Sequence, residues 1–434
     1  MPANMFYTVL KKIIRPSGIY AGASIFNQAV SFLMLPVLTR FLTPFHYGIL
    51  ATFQTIYPMG ESFIDMGSSA AISRQYFDTK DAPLNFGQYI FNSIIVKLSF
   101  LVIFLAALVF LRSWLIEKFN FPVWLIITIP GVAFASAFID IIVKLLVVQK
   151  KAYAYSLFQC SRTILNIILS LLLVVVIGLS WKGRVLGIAV TEIIFMLLCA
   201  AFLIRKSLLK YAIKPDLIKE MLVFGMPLFL YGVGRWVITL SDRLFLNVMV
   251  SVSATGSYSV GYSMASVVEF IAGGVGLAVM PILFEKLKNP SEAQKLLIVK
   301  CTYLYFFALF FVTLIWIYIA PIFCKIFIGK GFEEASRYIP LISFAYFANA
   351  MFRVFSLYIS YSKKTYYLIY SIMAAGAINL ILNYILIKAN GPMGAAQSTL
   401  ISYLVNMLLV WFFVQRAYPM PWFYFMKIKR ERLS

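Results

Sequence analysis

Long apolar runs recur along almost the whole chain, separated by short polar stretches. A helix needs about 20 mostly apolar residues to cross the ~30 Å hydrocarbon of a bilayer. Read between charged or Pro/Gly breaks, the runs predict spans at 18–40, 47–70, 86–111, 122–148, 155–179 and 184–204. A second set follows at 224–249, 255–283, 296–322, 336–361, 366–388 and 392–415. The pattern predicts an all-α integral membrane protein of about 12 transmembrane helices, because only helices and closed barrels satisfy their own backbone in lipid.

The longest interruption is 205–223, where Arg205, Lys206, Lys210, Lys214 and Pro215 are followed by Leu217, Ile218, Met221 and Leu222 at helical spacing. It reads as a basic amphipathic linker lying in the cytoplasmic interface. It divides the chain into residues 1–204, helices one to six, and residues 224–434, helices seven to twelve with a short basic tail. Six spans per half give both halves the same orientation, as in a parallel repeat about the membrane normal. A weak internal likeness agrees. Leu38-Thr39-Arg40-Phe41-Leu42 closes span one as Ser241-Asp242-Arg243-Leu244-Phe245 closes span seven. Tyr47-Gly48 opens span two, and Gly256-Ser257-Tyr258-Ser259-Val260-Gly261 opens span eight.

Composition sharpens this picture. The 434 residues are 62% hydrophobic and 12% charged, against roughly 25% charged in a soluble domain. The mean hydropathy of +0.89 agrees. With both termini in the cytoplasm, the segments on that side hold about 23 of the 38 Lys and Arg, among them Lys150, Lys151, Lys286, Lys288, Lys363, Lys364, Lys427, Lys429, Arg430 and Arg432. A net charge of +22 suits anionic lipid headgroups. Scattered over short loops, it makes no nucleic-acid surface. Lys11, Lys12 and Arg15 precede a full-length apolar segment, so the first span is expected to be a retained helix, not a cleaved signal. Cys160, Cys199, Cys301 and Cys324 form no CxxC pair, and His46 is the single histidine, so no metal or cofactor is expected.

The informative residues are the charges inside the spans. One at mid-bilayer costs roughly 2.5–3.5 kcal/mol on insertion scales, while a leucine returns only about 0.3–0.6. Such a residue must face water, a partner or a ligand. The cations are Lys97, Lys144, Arg162, Arg235 and Arg353, with Arg40 and Arg243 near the ends of spans one and seven and Arg74 just past span two. The anions are Glu61, Asp65, Asp140, Glu192, Asp242 and Glu269. Asp140 and Lys144 stand four apart and are expected to pair. Arg235 has no acid within one helical turn and is flanked by Gly232 and Gly234. Two readings stand for it: a ligand-binding cation, or an interhelical ion pair with Glu269 or Glu192. A cavity lined by arginines suits a phosphorylated substrate, because the guanidinium fork grips phosphate oxygens and keeps its charge when buried. Pro36, Pro227 and Pro281, with Gly273, Gly274 and Gly276, make helices one, seven and eight bendable, as in a gate, or simply close-packed.

Phe32-Leu33-Met34-Leu35-Pro36-Val37-Leu38-Thr39-Arg40-Phe41-Leu42-Thr43-Pro44-Phe45-His46-Tyr47-Gly48 resembles the N-terminal signature of Wzx-type polysaccharide flippases of the MOP exporter superfamily. The Ser241-Asp242-Arg243 segment, followed by Gly256-Ser257-Tyr258-Ser259, resembles that family's second-half counterpart. The resemblance implies two six-helix lobes around a cavity lined by helices one, two, seven and eight. It implies transfer of an undecaprenyl-diphosphate-linked oligosaccharide from the inner to the outer leaflet of the bacterial cytoplasmic membrane by alternating access. The substrate-binding cations it points to are Arg235, Arg40, Arg74, Arg353 and Lys97, the last on a helix expected to be more peripheral. Glu61, Asp65, Asp242 and Glu269 are the candidates for coupling or counter-ion roles, with an H⁺ or Na⁺ gradient as the driving force and no cofactor. The partners implied are membrane lipids, a polysaccharide polymerase and a chain-length regulator, around a monomer.

A cation-coupled multidrug antiporter of the same superfamily is the first rival. Such proteins typically carry an acid in helix one or seven. Span one here has none, and Asp242 stands at the end of span seven. A polymerase or ligase is the second. No loop is long enough for a catalytic domain, and no Asp-x-Asp pair is present. Gly329-Lys330-Gly331 lacks the rest of a phosphate loop.

Overall fold

A computed structural model describes residues 3–78, 83–288 and 290–424, so the tail cations from Lys427 onward lie outside the described residues, as does the side chain of Pro281. Among the described residues every regular element is helical. The first half comprises α1 (Ala3–Phe41), α2 (Pro44–Asp65), α3 (Ser68–Asp78), α4 (Pro83–Phe110), a short α5 (Arg112–Phe119), α6 (Val123–Val148), α7 (Ala152–Leu171) and α8 (Ser180–Arg205). α7 runs into a π-helical turn, Leu172–Val176. The second half comprises α9 (Pro215–Met249), α10 (Val252–Ala265), α11 (Val267–Lys286), α12 (Glu292–Phe327), α13 (Ala335–Tyr361), α14 (Tyr366–Asn390) and α15 (Pro392–Ala417). The boundaries follow local chemistry. α2, α9 and α15 each open on a proline at the first helical position, where no N–H is needed. Thr43 caps α2, its hydroxyl accepting the His46 N–H.

Ten of the described helices are long and apolar enough to cross a membrane. The other two predicted spans are each broken in two. Span two is α2 and α3, parted at Met66 and Gly67, both with positive φ. Span eight is α10 and α11, parted at Ser266. The breaks therefore fall at the same ordinal position in each half. Burial repeats in most pairs. Spans three and nine (α4 and α12) are each 22% buried, four and ten (α6 and α13) 61% and 56%, and six and twelve (α8 and α15) 44% each, while five and eleven (α7 and α14) differ at 11% and 33%. The paired breaks are the stronger mark of a parallel repeat.

One expectation needs correction. Residues 207–214 of the linker are not helical. They form a strap along α4: Lys210 N–H donates to Gly87 C=O at 3.3 Å, Lys214 N–H to Asn92 Oδ1 at 2.9 Å, and Asn92 Nδ2 to Ala212 C=O at 2.8 Å. Only from Pro215 does the amphipathic pattern become helix, as the first turns of α9. The strap satisfies backbone groups that helix geometry would otherwise have to satisfy.

Packing separates two compact units, one of residues 1–260 with 327–334, the other of 261–326 with 335–434. In the first, α6 is central and packs on α2, α4 and α8. Ala133, Ala135 and Ala137 are fully buried on it, and small side chains let helices approach where lipid supplies no hydrophobic drive. The α2–α3 break rests on the backbone of α9: a Cβ on Gly67 would stand 2.8 Å from the Gly225 carbonyl oxygen. α2 and α10 cross on two glycines. A Cβ on Gly48 would overlap the Val252 carbonyl, and one on Gly256 would overlap the Pro44 carbonyl. Each carbonyl lies four residues before the opposing glycine, so the contact is reciprocal. In the second unit α13 is central, against α15, α14 and α11. Asn379 Nδ2 donates to Ser398 Oγ at 3.3 Å and Ser402 Oγ at 3.1 Å, tying α14 to α15.

Candidate functional site

Interrupted spans at corresponding places in two halves are the usual pointer to a transport site, because they free backbone polar groups at membrane depth. Both breaks here are flanked by ion pairs. Asp65, the last residue of α2, is paired with Lys97 of α4. Lys97 is fully buried and also donates to Ser68 Oγ at 2.7 Å and Ser69 Oγ at 3.1 Å. Asp65 further accepts from Ser69 Oγ at 2.6 Å. Glu269, in the first turn of α11, is paired with Arg353 of α13 and accepts from Asn349 Nδ2 at 3.2 Å. Lys97, read as a cavity cation, and Asp65, read as a coupling acid, therefore hold each other. Arg353 and Glu269 do the same.

Asp242 is similarly committed. One carboxylate oxygen accepts from Arg243 Nη1 at 2.8 Å and the other from Tyr258 OH at 2.5 Å, with Asp242 1% exposed. Arg243 Nη1 also donates to the Thr239 carbonyl, and its guanidinium lies 5.9 Å from the centre of the Tyr258 ring. The likeness between the ends of spans one and seven does not extend to burial. Arg40 ends α1 exposed, where a cation meets the helix dipole favourably, while Arg243 is buried.

A fourth group was not foreseen as a unit. Arg162 of α7 pairs with Glu192 of α8 through Nη2 to Oε2 at 2.5 Å and Nε to Oε1 at 3.1 Å, and Nη2 also donates to Ser136 Oγ of α6 at 3.1 Å. Glu61 of α2 and Asp140 of α6 lie beside this pair. Asp140 and Lys144 make no ion pair, contrary to their spacing on one helix. Arg184, in the second turn of α8, donates from Nη1 to Asn166 Oδ1 and Ser170 Oγ, both at 2.5 Å, and has no carboxylate partner. Arg162, Arg184 and Glu192, with Asn27, Gln54 and Tyr57, line a polar cavity of about 220 Å³ inside the first unit. The sequence signal for Arg184 was weak, because it opens an apolar run instead of interrupting one.

Arg74, Arg40 and Arg235 lie apart from these groups. Arg74 is exposed and stacks on Phe224, 5.3 Å from the ring centre. Arg40 and Arg235 are exposed, and their side chains make no ion pair and no hydrogen bond among the described residues. Glu192 and Glu269, the two acids open to Arg235, are taken by Arg162 and Arg353. Arg235 projects from the middle of α9. On the same helix, Trp236 Nε1 donates to the Thr55 carbonyl and Asn247 Nδ2 to Thr52 Oγ1 of α2.

A family model described as polysaccharide biosynthesis protein matches residues 13–286. The chain belongs to that family. An uncharacterized membrane protein of Haemophilus influenzae is 26% identical over 292 residues, 65% of this chain and 68% of that one. A Lsg-locus protein of the same organism is 24% identical over 286 residues, 64% of this chain and 67% of that one. Among solved structures, the lipid II flippase MurJ in an inward closed conformation has a TM-score of 0.69 at 14% identity, over 91% of this chain and 87% of that one. An inward-facing multidrug resistance MATE transporter of the MOP superfamily has a TM-score of 0.65 at 14% identity, over 92% of each chain. This polysaccharide biosynthesis family member shares its all-helical fold with these two structures.

Proposed function

We propose that the chain is a flippase that carries an undecaprenyl-diphosphate-linked oligosaccharide from the inner to the outer leaflet of a bacterial cytoplasmic membrane by alternating access. Both termini lie in the cytoplasm, and the monomer is the working unit. The observation that carries this reading is Arg235: an arginine in mid-span, exposed, its side chain without an ion pair or hydrogen bond among the described residues. An uncompensated cation there is too costly to face lipid. A diphosphate satisfies it through paired N–H···O contacts, and release follows because one guanidinium alone holds the anion loosely. Arg40, exposed in the last turn of α1, is a second cation for the substrate path. Glu61, close to the Arg162–Glu192 pair, is the acid best placed for H⁺ coupling, since Asp65, Asp242 and Glu269 are already held by cations. The family match to polysaccharide biosynthesis favours a saccharide over a drug as cargo.

The test is complementation of a flippase-deficient strain. Wild type restores surface polysaccharide, Arg235→Ala abolishes it at unchanged protein level, and Arg235→Lys restores part. Full polysaccharide with Arg235→Ala removes this residue from the mechanism. Failure of the wild type in strains accepting several glycans, together with drug efflux, replaces the flippase by an antiporter.

A further inference from the structure

The polar cavity of the first unit holds a cation that its own lining does not answer. It lies among α1, α2, α7 and α8 and has a volume of about 220 Å³. Drug-sized clefts run to roughly 300–1,000 Å³ and are mostly apolar. Here only Met34, Ile167 and Ile188 are apolar among the described lining residues. Arg184 and Glu192 both stand on α8, and the turns between them span about 12 Å at 1.5 Å per residue. At the Glu192 end, that carboxylate and Arg162 neutralise each other. At the other end, Arg184 commits Nη1 to Asn166 and Ser170. Its Nε is buried without a hydrogen-bond partner, and its Nη2 donates to no described residue. Those two nitrogens form an edge of the guanidinium that takes two oxygens of one oxyanion side by side. The side chains of Gln54, Gln159 and Thr163 line the same cavity and make no hydrogen bond with any described residue. Polar groups left open in this way at membrane depth call for a ligand or water.

Charge and hydrogen-bonding capacity together narrow the occupant. Arg162 is balanced by Glu192, so a single negative charge at Arg184 neutralises the lining. A phosphate monoester brings about −1.5 to −2, more than the site balances. A bare anion such as chloride only accepts hydrogen bonds, whereas each glutamine amide offers an acceptor as well as donors. A hydroxylated ring bearing one carboxylate meets every demand: the carboxylate answers the guanidinium edge, and hydroxyls that both donate and accept answer the amides and Thr163. The volume equals about seven waters at ~30 Å³ each, the scale of a single sugar ring. We propose that the first unit binds one uronic-acid unit of the carried glycan, its carboxylate on the Nε–Nη2 edge of Arg184 and its hydroxyls on Gln54, Gln159 and Thr163; the assignment rests on the flippase reading above. Arg235 answers the diphosphate that all such carriers share, and Arg184 selects among the glycans they bear.

The experiment titrates the full-length protein in phosphatidylcholine nanodiscs with methyl β-D-glucuronide and reads binding by saturation-transfer NMR. The blocked anomeric carbon makes this probe resemble a sugar linked in a chain. The glucuronide is expected to bind, and its neutral counterpart methyl β-D-glucoside should bind about tenfold more weakly, the factor a charge-assisted pair supplies. Arg184→Gln should weaken the glucuronide by a similar factor and leave the glucoside as it was. Gln159→Leu breaks no hydrogen bond between described residues, so it keeps the fold and should weaken both sugars by about fivefold. Equal binding of the two glycosides, displacement of the glucuronide by chloride or phosphate at equal concentration, or unchanged glucuronide binding in either variant overturns the assignment. Binding of free glucuronate without its methyl glycoside also overturns it, in favour of a site for a free sugar acid. Complementation by the wild type is read in parallel. If it fails in every strain while selective glucuronide binding persists, the flippase reading falls and the acidic-sugar site remains. If it succeeds without glucuronide binding, the site falls and the flippase stands.

Discussion

The reciprocal crossing of α2 and α10 gives the sharpest stability prediction. In Gly256→Ala the new Cβ would stand 2.8 Å from the Pro44 carbonyl carbon and 3.0 Å from the Gly48 nitrogen, with the Pro44 oxygen closer still. These are backbone atoms of a capped helix start, so no side chain can swing away, and the helices must part by on the order of 1 Å to restore contact distances. Overpacking of this kind costs about 1–3 kcal/mol, and rigid neighbours place it at the upper end. Alanine returns up to about 1 kcal/mol of helix propensity, leaving a net loss near 2 kcal/mol. The first unit has roughly 270 residues; at ~2.1 cal/mol/K of unfolding entropy per residue the loss lowers Tm by about 4 °C. Gly48→Ala should do the same. The double variant should cost clearly less than the sum, because helices parted for one methyl already admit the other. Gly131→Ala, whose Cβ meets nothing within 4 Å, should hold or raise Tm. Thermal unfolding of wild type and the four variants in one detergent decides the matter. Single variants within ~0.5 kcal/mol of wild type, or strict additivity in the double, would refute the argument.

Two further outcomes follow from the buried polar groups. Lys97→Met leaves Asp65 uncompensated beneath the span-two break and should destabilise by about 3–5 kcal/mol. Adding Asp65→Asn should recover most of it, as read by thermal unfolding; no recovery would mean Lys97 acts elsewhere. Tyr258→Phe removes a charge-assisted bond to Asp242 and should cost about 1.5–3 kcal/mol, whereas Tyr258→Phe on an Asp242→Asn background should cost less than half of that.

The number and order of spans were legible in the sequence because lipid enforces a length and an apolarity that leave a direct imprint. The pairing of charges was not. Spacing reports which residues share one helix face, and it suggested Asp140 with Lys144. The structure instead joins Lys97 to Asp65, Arg162 to Glu192 and Arg353 to Glu269, all between helices. Which helix lies beside which is set by interhelical packing, and a single sequence carries little of it. Tyr47-Gly48 and Gly256 stood out as a motif, yet their mutual contact depends on a crossing that neither segment encodes alone. α2 starts at Pro44, three residues before the expected opening at Tyr47, because Thr43 and Pro44 supply a local cap that hydropathy alone does not register. The break at Met66-Gly67 was overlooked because a single glycine looks the same in a continuous helix.

The order in which the chain is made gives the Lys97–Asp65 pair a further meaning. α2 and α3 are not among the helices apolar enough to cross on their own. When span two leaves the ribosome, its carboxylate has no neutralising neighbour, because Lys97 lies 32 residues further along. Stable entry into the bilayer then waits for the following span, and the two integrate as one hairpin. A chain arrested between them should stay accessible to the aqueous side of the insertion machinery.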